Sequence, residues 1–253
     1  MSIRAAWVLL AVLHTIPVIV GLRFGMLPGL AVMVVFHLLL VAAIFLPVLL
    51  GIGCGVRRFH TDGREVCITI DDGPTADTAE VLSILDHANA KALFFLIGAR
   101  VAEEPALCLR IVAGGHELGN HTMTHATALF WSLLPSAQMR EISGATAEIE
   151  RAAGVYPRLF RAPVGFRNLF NAGVLRALGM RYVGWSARGF DGIDTNVERV
   201  VSRIMRSLQP GAIILLHQGR PHHVAVLRRL LAELHSGGWS VVIPEVLRAH
   251  TLR

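Results

Sequence analysis

The stretch CITIDDGPT, residues 67–75, places two adjacent carboxylates, Asp71 and Asp72, directly after an apolar β-branched run and before a Gly-Pro turn. Such a run, closed by turn residues, predicts a buried β-strand that ends in charge. Neighbouring carboxylates resist ionising together. A helix N-cap would explain Asp72 alone, but the pair calls for a nearby cation that offsets the repulsion.

Beyond this stretch, short β-rich runs alternate with segments of helical periodicity, which predicts a parallel sheet covered by helices. We expect about seven strands, and periodicity alone leaves an open wound sheet and a barrel equally possible. Polar side chains follow several of these strands, so we expect them to meet at one rim. The predicted strands are Val66–Ile70, Ala92–Ile97, His116–Gly119, Leu159–Arg161, Arg181–Trp185, Ala212–Leu216 and Trp239–Val242.

The motif GNHTMTH, residues 119–125, places His121 and His125 four residues apart. On a helical turn, both imidazoles would project from one face and could share a metal ion. An isolated pair of this kind is more often two surface or capping histidines, so a third ligand is needed. Asp72 supplies that ligand, which would leave Asp71 free to act as a base.

The N-terminal region contains two charge-free apolar runs, residues 5–22 and 26–56, each long enough to cross a bilayer as a helix. We predict a transmembrane helical hairpin that turns around Gly21 to Gly25. The chain then divides into a membrane anchor, residues 1–58, and a catalytic domain, residues 59–253. The alternative is a single span preceded by a signal-like first helix.

Basic residues predict the orientation of this anchor. Arg4, Arg57 and Arg58 flank the open end of the hairpin and Arg23 alone lies at its turn, which favours a cytoplasmic-facing domain in the cytoplasmic membrane. The net charge of +6 comes from scattered arginines, and aromatic residues make up only 7% of the chain. A nucleic-acid partner is therefore not expected; membrane lipids or an acidic lipid-linked substrate suit basic residues beside a bilayer better.

Five segments, TIDDGPT, HTMTH, RAPVG, WSARGFD and LLH, stand in the order and near the spacing of the motifs of the polysaccharide deacetylase family, the NodB-like carbohydrate esterases. The resemblance covers about residues 65–246. It implies a distorted (β/α) barrel and a divalent metal, usually zinc, bound by Asp72, His121 and His125. The paired aspartates followed by His-x-x-x-His are specific, and the later motifs are weaker alone.

The resemblance also implies catalytic roles. Asp71 would be the general base that takes a proton from the attacking water, and Arg161 would hold and orient it. His217 would be the general acid for the leaving amine, with Asp191 raising its pKa. The oxyanion would be stabilised by the backbone N–H of Val164, and Leu215 would shape the acyl pocket.

Three departures from the family pattern concern the sugar-binding walls. Val164 stands where many relatives have Tyr, Arg188 and Gly192 replace an Asp and a Trp, and Gln218 follows His217 where relatives often have Asp. We therefore expect a metal-dependent hydrolase that removes an N-acetyl or N-formyl group from an amino sugar, on a lipid-linked saccharide or glycolipid. The alternatives are an extracytoplasmic peptidoglycan or exopolysaccharide deacetylase and a catalytically degenerate saccharide-binding protein. The oligomeric state is left open.

Overall fold

The computed structural model describes residues 2–49, 55–126, 129–166 and 169–248, with only the backbone given for residues 43–49. Residues 50–54 of the second predicted apolar run and the last five residues of the predicted catalytic domain, 249–253, lie outside the described part.

The N-terminal region forms two antiparallel helices, α1 (Ile3–Phe24) and α2 (Met26–Leu49). Gly25 joins them with φ 99°, a backbone conformation that favours glycine. The helices approach closely near this turn, because a Cβ atom on Gly29 would lie only 2.7 Å from the Cα atom of Gly21. Small residues permit such close helix contacts. The predicted pair of helices and its turn are therefore present.

Within the described residues, one of the two helices has the length and hydropathy expected of a membrane span. It is α1, with 22 residues and a mean hydropathy of 2.2, whereas the apolar part of α2 with described side chains ends at Ala42. A signal sequence near an N-terminus has the same properties. The second span and the side of the membrane stay predictions.

The rest of the chain forms a curled, parallel half-barrel. Seven strands run in the order β5-β4-β3-β2-β1-β7-β6, and β8 pairs with the beginning of β1. All eight strands pair in parallel, which confirms the predicted fold. The strands are β1 (Glu65–Gly73), β2 (Ala92–Leu96), β3 (Glu117–Asn120), β4 (Leu159–Phe160), β5 (Arg181–Tyr182), β6 (Ala187–Arg188), β7 (Ala212–His217) and β8 (Ser240–Val241).

Helices cover the outer face of the sheet and bury the main apolar core between the two layers. Local signals fix several helix ends. Pro135 begins α6, Gly154 ends it with φ 67°, and the Asn196 side chain caps α8 by accepting a hydrogen bond from the Arg199 N–H. The helices are α3 (Thr78–His87), α4 (Gly98–Glu103), α5 (Pro105–Ala113), α6 (Pro135–Ala153), α7 (Asn171–Ala177), α8 (Val197–Ser207) and α9 (His223–Ser236).

The sequence prediction missed β6 and α4. β6 has only two residues and includes an exposed arginine, so it lacks both the length and the β-branched composition that signal a strand. α4 has six residues and begins at Gly98, too short for a helical period to be recognised.

The helical hairpin packs directly on the half-barrel. Ala6 is fully buried, the rings of Trp7 and Phe170 lie 5.1 Å apart, and a Cβ atom on Gly173 would lie 2.9 Å from the backbone nitrogen of Ile3. Because α7 follows β4, its N-terminal end lies at the carboxyl end of the sheet. The hairpin thus contacts the domain on the rim where polar residues gather.

Candidate active site

The two aspartates point into one cavity because the strand that carries them is irregular. Successive side chains of a regular strand alternate between faces, which would separate Asp71 from Asp72. Instead, the register between β1 and β2 shifts between Ile70 and Gly73, and Asp72 adopts φ 67°. As a result, Asp71 Oδ2 and Asp72 Oδ1 lie 3.7 and 3.5 Å from the same nitrogen, His121 Nε2.

His121 and His125 lie together, but not on a helical turn as predicted. The segment after β3 is an irregular loop in which Thr122 and His125 have positive φ angles of 70° and 54°. Side chains hold this loop: Asn120 Oδ1 accepts a hydrogen bond from the Thr122 N–H, and Thr122 Oγ1 accepts one from the His125 N–H. The two imidazole centroids lie 4.8 Å apart.

The side chains of Asp72, His121 and His125 fit a divalent cation. His121 Nδ1 donates to the Arg161 carbonyl oxygen over 2.8 Å, which turns its Nε2 towards Asp72. His125 Nε2 lies 3.1 Å from the same Asp72 Oδ1, a buried atom with no hydrogen-bond partner. The three ligand atoms lie within 4.8 Å of one another. Electron-rich atoms converging in this way suit a metal with nitrogen and oxygen ligands.

Charge states at this cluster favour metal binding as well. Burial, together with the adjacent His121, lowers the pKa of His125, which favours the neutral imidazole that metals bind. Burial disfavours the charged form of Asp72, but the imidazoles of His121 and His125 outweigh it and hold the pKa of that carboxyl below its usual range.

Arg161 crosses the interior of the half-barrel and fixes Asp71. The residue is fully buried, and its Nη1 donates to Asp71 Oδ1 and to Thr69 Oγ1, both over 2.7 Å. Its other nitrogens donate to the carbonyl oxygens of Val183 and Gly184. Charge-assisted hydrogen bonds of this kind are strong and directional, so the carboxylate of Asp71 has one orientation.

Asp191 holds His217 from the opposite side of the cavity. Its two carboxylate oxygens accept hydrogen bonds from His217 Nδ1 over 3.0 Å and from the His217 backbone N–H over 2.7 Å. The His222 Nε2 in turn donates to the Asp191 carbonyl oxygen. Burial alone would lower the pKa of His217, but Asp191, with the more distant Asp71 and Asp72, raises it above its usual value. On the sheet, His217 pairs directly with Asp71 across β1 and β7.

The two residues expected to contact the acyl group also line the cavity. Leu215 is buried on β7, and Val164 is exposed at φ 51°. A β-branched residue rarely adopts positive φ. Strained residues of this type cluster at functional sites. Of the six non-glycine residues with positive φ in the described ranges, four line this cavity, namely Asp72, His125, Val164 and Phe190, and Thr122 lies in the loop between the two histidines.

The cavity that joins these residues has a volume of about 770 Å³. The structure thus brings together all nine predicted site residues. The lining residues that were not anticipated include Arg100, which donates to the Asp72 carbonyl oxygen, and the aromatic rings of Trp185 and Phe190. Arg100 belongs to the unpredicted helix α4, whereas Trp185 and Phe190 lie in the segment WSARGFD, residues 185–191. Arg100 stands in no motif, and the segment that contains the two aromatic residues does not by itself show that their rings reach the cavity.

Comparisons with known proteins agree with this geometry. Residues 59–183 match the model of the family described as polysaccharide deacetylase. A chitooligosaccharide deacetylase of Bradyrhizobium sp. is 38% identical over 171 residues, which cover 66% of this chain and 77% of the relative. A peptidoglycan-N-acetylglucosamine deacetylase of Bacillus cereus is 35% identical over 193 residues, or 73% of this chain and 89% of the relative.

The fold is also shared with solved structures. A family 4 carbohydrate esterase from Streptomyces lividans, solved in complex with acetate, superposes with a TM-score of 0.66 and 28% identity, over 76% of this chain and 94% of that one. With the sequence relatives and the parallel half-barrel, this likeness leads to one conclusion. The chain belongs to the polysaccharide deacetylase family of carbohydrate N-deacetylases.

Proposed function

We infer that this protein is a zinc-dependent hydrolase that removes an N-acetyl or N-formyl group from an amino sugar of a lipid-linked saccharide or glycolipid. The observation that carries the reaction is the convergence of Asp72 Oδ1, His121 Nε2 and His125 Nε2 beside a second, separately held carboxylate. A carboxylate with two imidazoles is a donor set that zinc accepts. Bound there, the metal supplies Lewis acidity that polarises the amide carbonyl and activates water.

The chain's own residues supply the proton transfers. Asp71, held by Arg161, takes the proton of the attacking water. His217, kept protonated by Asp191, donates a proton to the amine as the carbon–nitrogen bond breaks. Two groups with opposite starting protonation states are what amide hydrolysis needs. The Val164 N–H would stabilise the developing oxyanion, and Leu215 would contact the acyl methyl group or hydrogen.

Contacts of the hairpin support a substrate at the membrane. The first two turns of α1 pack on α7, at the same rim as the cavity. Exposed apolar side chains also line this cavity, namely Val164, Phe190 and Ile193, the last with 83% of its surface accessible. An apolar rim beside a membrane helix suits an amphiphilic substrate better than a soluble polymer.

The membrane arrangement is part of the proposal. Residues 1–58 would form a two-span anchor and residues 59–253 the catalytic domain, facing the cytoplasm according to the arginine bias. The alternative is an extracytoplasmic enzyme that acts on peptidoglycan or exopolysaccharide. Reporters fused after Arg253 distinguish the two: a cytoplasmic domain gives green fluorescence, and an external one gives alkaline phosphatase activity.

The reaction is tested by removing the metal from the purified full-length protein, restoring zinc and measuring release of acetate and formate from amino-sugar substrates, glycolipids included. We expect release to vanish with the metal and to return with it. Absence of metal-dependent release from every substrate would instead favour a catalytically degenerate saccharide-binding protein.

A further inference from the structure

Arg188 occupies a position inside the cavity that proton transfer and metal binding do not require. It lies on the edge strand β6, in register with Leu215 on β7. Side chains of residues paired in register share a face of the sheet, and both line the cavity. The Arg188 guanidinium lies 4.2 Å from the centroid of the Phe190 ring and 5.8 Å from that of Trp185. Aromatic rings hold a guanidinium in place while leaving its N–H groups available.

Most carboxylates in the cavity lining already interact with a basic side chain. Asp71 is bonded to Arg161, Asp72 faces His121 and His125, and Asp191 is bonded to His217. Glu103 is the remaining acidic residue in the lining.

Three arginines oppose that single carboxylate. Within the residues that the structure describes, Arg100, Arg188 and Arg220 form no ion pair with a carboxylate, although all three line the cavity. Apart from the paired groups named above, the lining therefore has three positive charges against one negative charge, an excess that a neutral sugar would leave unpaired. Unpaired charge is costly to desolvate when a substrate closes the cavity.

The chemistry of the Arg188 side chain indicates which class of ligand it can bind. An aspartate, which the family pattern has at this position, can accept hydrogen bonds from sugar hydroxyl groups. A guanidinium only donates, so it needs a group rich in acceptors. Its planar fork matches two oxygens of one phosphate.

We propose that the substrate carries a phosphate group next to the amino sugar and that Arg188 binds this phosphate. The proposal rests on the function inferred above and specifies its substrate class. The phosphate could belong to a soluble sugar phosphate or to a lipid headgroup, and the exposed Phe190 and Ile193 beside Arg188 would contact the apolar part of a lipid ester.

The test compares Arg188→Gln and Arg188→Lys with the wild type, using full-length, zinc-loaded protein in detergent. The substrates are the methyl glycoside of N-acetylglucosamine, N-acetylglucosamine 1-phosphate and the geranyl ester of that phosphate. We expect Arg188→Gln to lower the ratio of kcat/KM for the phosphorylated to the unphosphorylated sugar by about 10- to 100-fold, the range for a charged hydrogen bond. Arg188→Lys keeps the charge without the fork and should retain an intermediate ratio.

Arg206→Gln is the matched control, since it removes the same charge from the exposed face of α8. It should leave the ratio unchanged. An equal loss on both sugars in Arg188→Gln, or an equal effect in the control, would overturn the proposal. Tighter binding of the geranyl ester than of the free phosphate would assign the phosphate to a lipid, and equal binding would assign it to a soluble substrate.

Calorimetry of N-acetylglucosamine 1-phosphate on the same proteins separates this inference from the proposed function. If the wild type releases no acetate from any substrate, the hydrolase function fails. The phosphate site is then still decided, because a Kd that rises about tenfold or more in Arg188→Gln supports it, and an unchanged Kd contradicts it.

Discussion

The two walls of the cavity are built in opposite ways. The wall formed by β1, β3 and β4 holds Asp71, His121 and Arg161, which are almost completely buried and fixed by several hydrogen bonds each. The wall at the edge strand β6 presents Arg188 and Phe190, which are exposed and stack on each other. In the function we propose, reaction chemistry depends on fixed, buried groups, and substrate choice depends on an exposed edge that can change without unfolding the barrel.

The largest effect is expected on the buried wall, from Asp71→Asn. The amide cannot accept the proton of water, so acetate release should fall by about 10²- to 10⁴-fold. Metal content, measured by atomic absorption, should persist because Asp72, His121 and His125 are intact. Asp86→Asn, an exposed position on α3, is the control. Unchanged activity in Asp71→Asn would remove the distinction between the two walls.

Substitutions on the two walls should also differ in their effect on the free energy of unfolding. Arg161→Met leaves the buried Asp71 carboxylate without its positive partner, which should lower the free energy of unfolding by about 3–5 kcal/mol. Arg188→Gln removes an arginine of the same charge from the exposed edge and should change it by no more than about 0.5 kcal/mol. Urea unfolding of the solubilised protein measures both. Similar losses for the two variants would contradict the comparison.

Between the walls, Asp191→Asn should change the pH dependence of the reaction. His217 must be protonated to act as an acid, and Asp191 raises its pKa, so activity persists to higher pH than an ordinary histidine would allow. Without the negative charge the pKa falls, and the alkaline limb of kcat/KM should move to lower pH, with a loss of about 10- to 100-fold near neutrality. An unmoved alkaline limb would assign the acid to another group.

A small effect of either sign is expected at Val164, where the backbone is strained. Val164→Gly removes the side chain that disfavours φ 51°, but it also increases the freedom of the unfolded chain. The free energy of unfolding should therefore stay within about 1 kcal/mol of the wild type. Val164→Ala keeps the Cβ atom and serves as the comparison in thermal unfolding. A glycine variant clearly less stable than the alanine variant would show that the position is unstrained.

Sequence reasoning identified the buried wall well and the exposed edge poorly. Strands β1 and β7 are mainly apolar runs that end in Asp71 and His217. The strands could therefore be predicted from their composition, and the two polar residues from their position at the strand ends. The two-residue strand β6 has no such signal, and its contribution to the cavity depends on pairing with β7, which is distant in sequence. The irregular loop that joins His121 to His125 was also missed, because local side-chain hydrogen bonds of Asn120 and Thr122 hold it, without the glycine or proline that usually marks a turn.

The burial of Ala6 and the ring contact of Trp7 with Phe170 join the helical hairpin to the half-barrel. If α1 sits in a bilayer, as we infer, the cavity mouth cannot swivel on a flexible stalk, and its height above the lipid surface is constant. Sugars attached within that height are presented to the enzyme continuously, whereas units farther out on a long glycan are beyond its reach. The hairpin would then set the distance between the cavity and the lipid surface, in addition to holding the domain at the membrane.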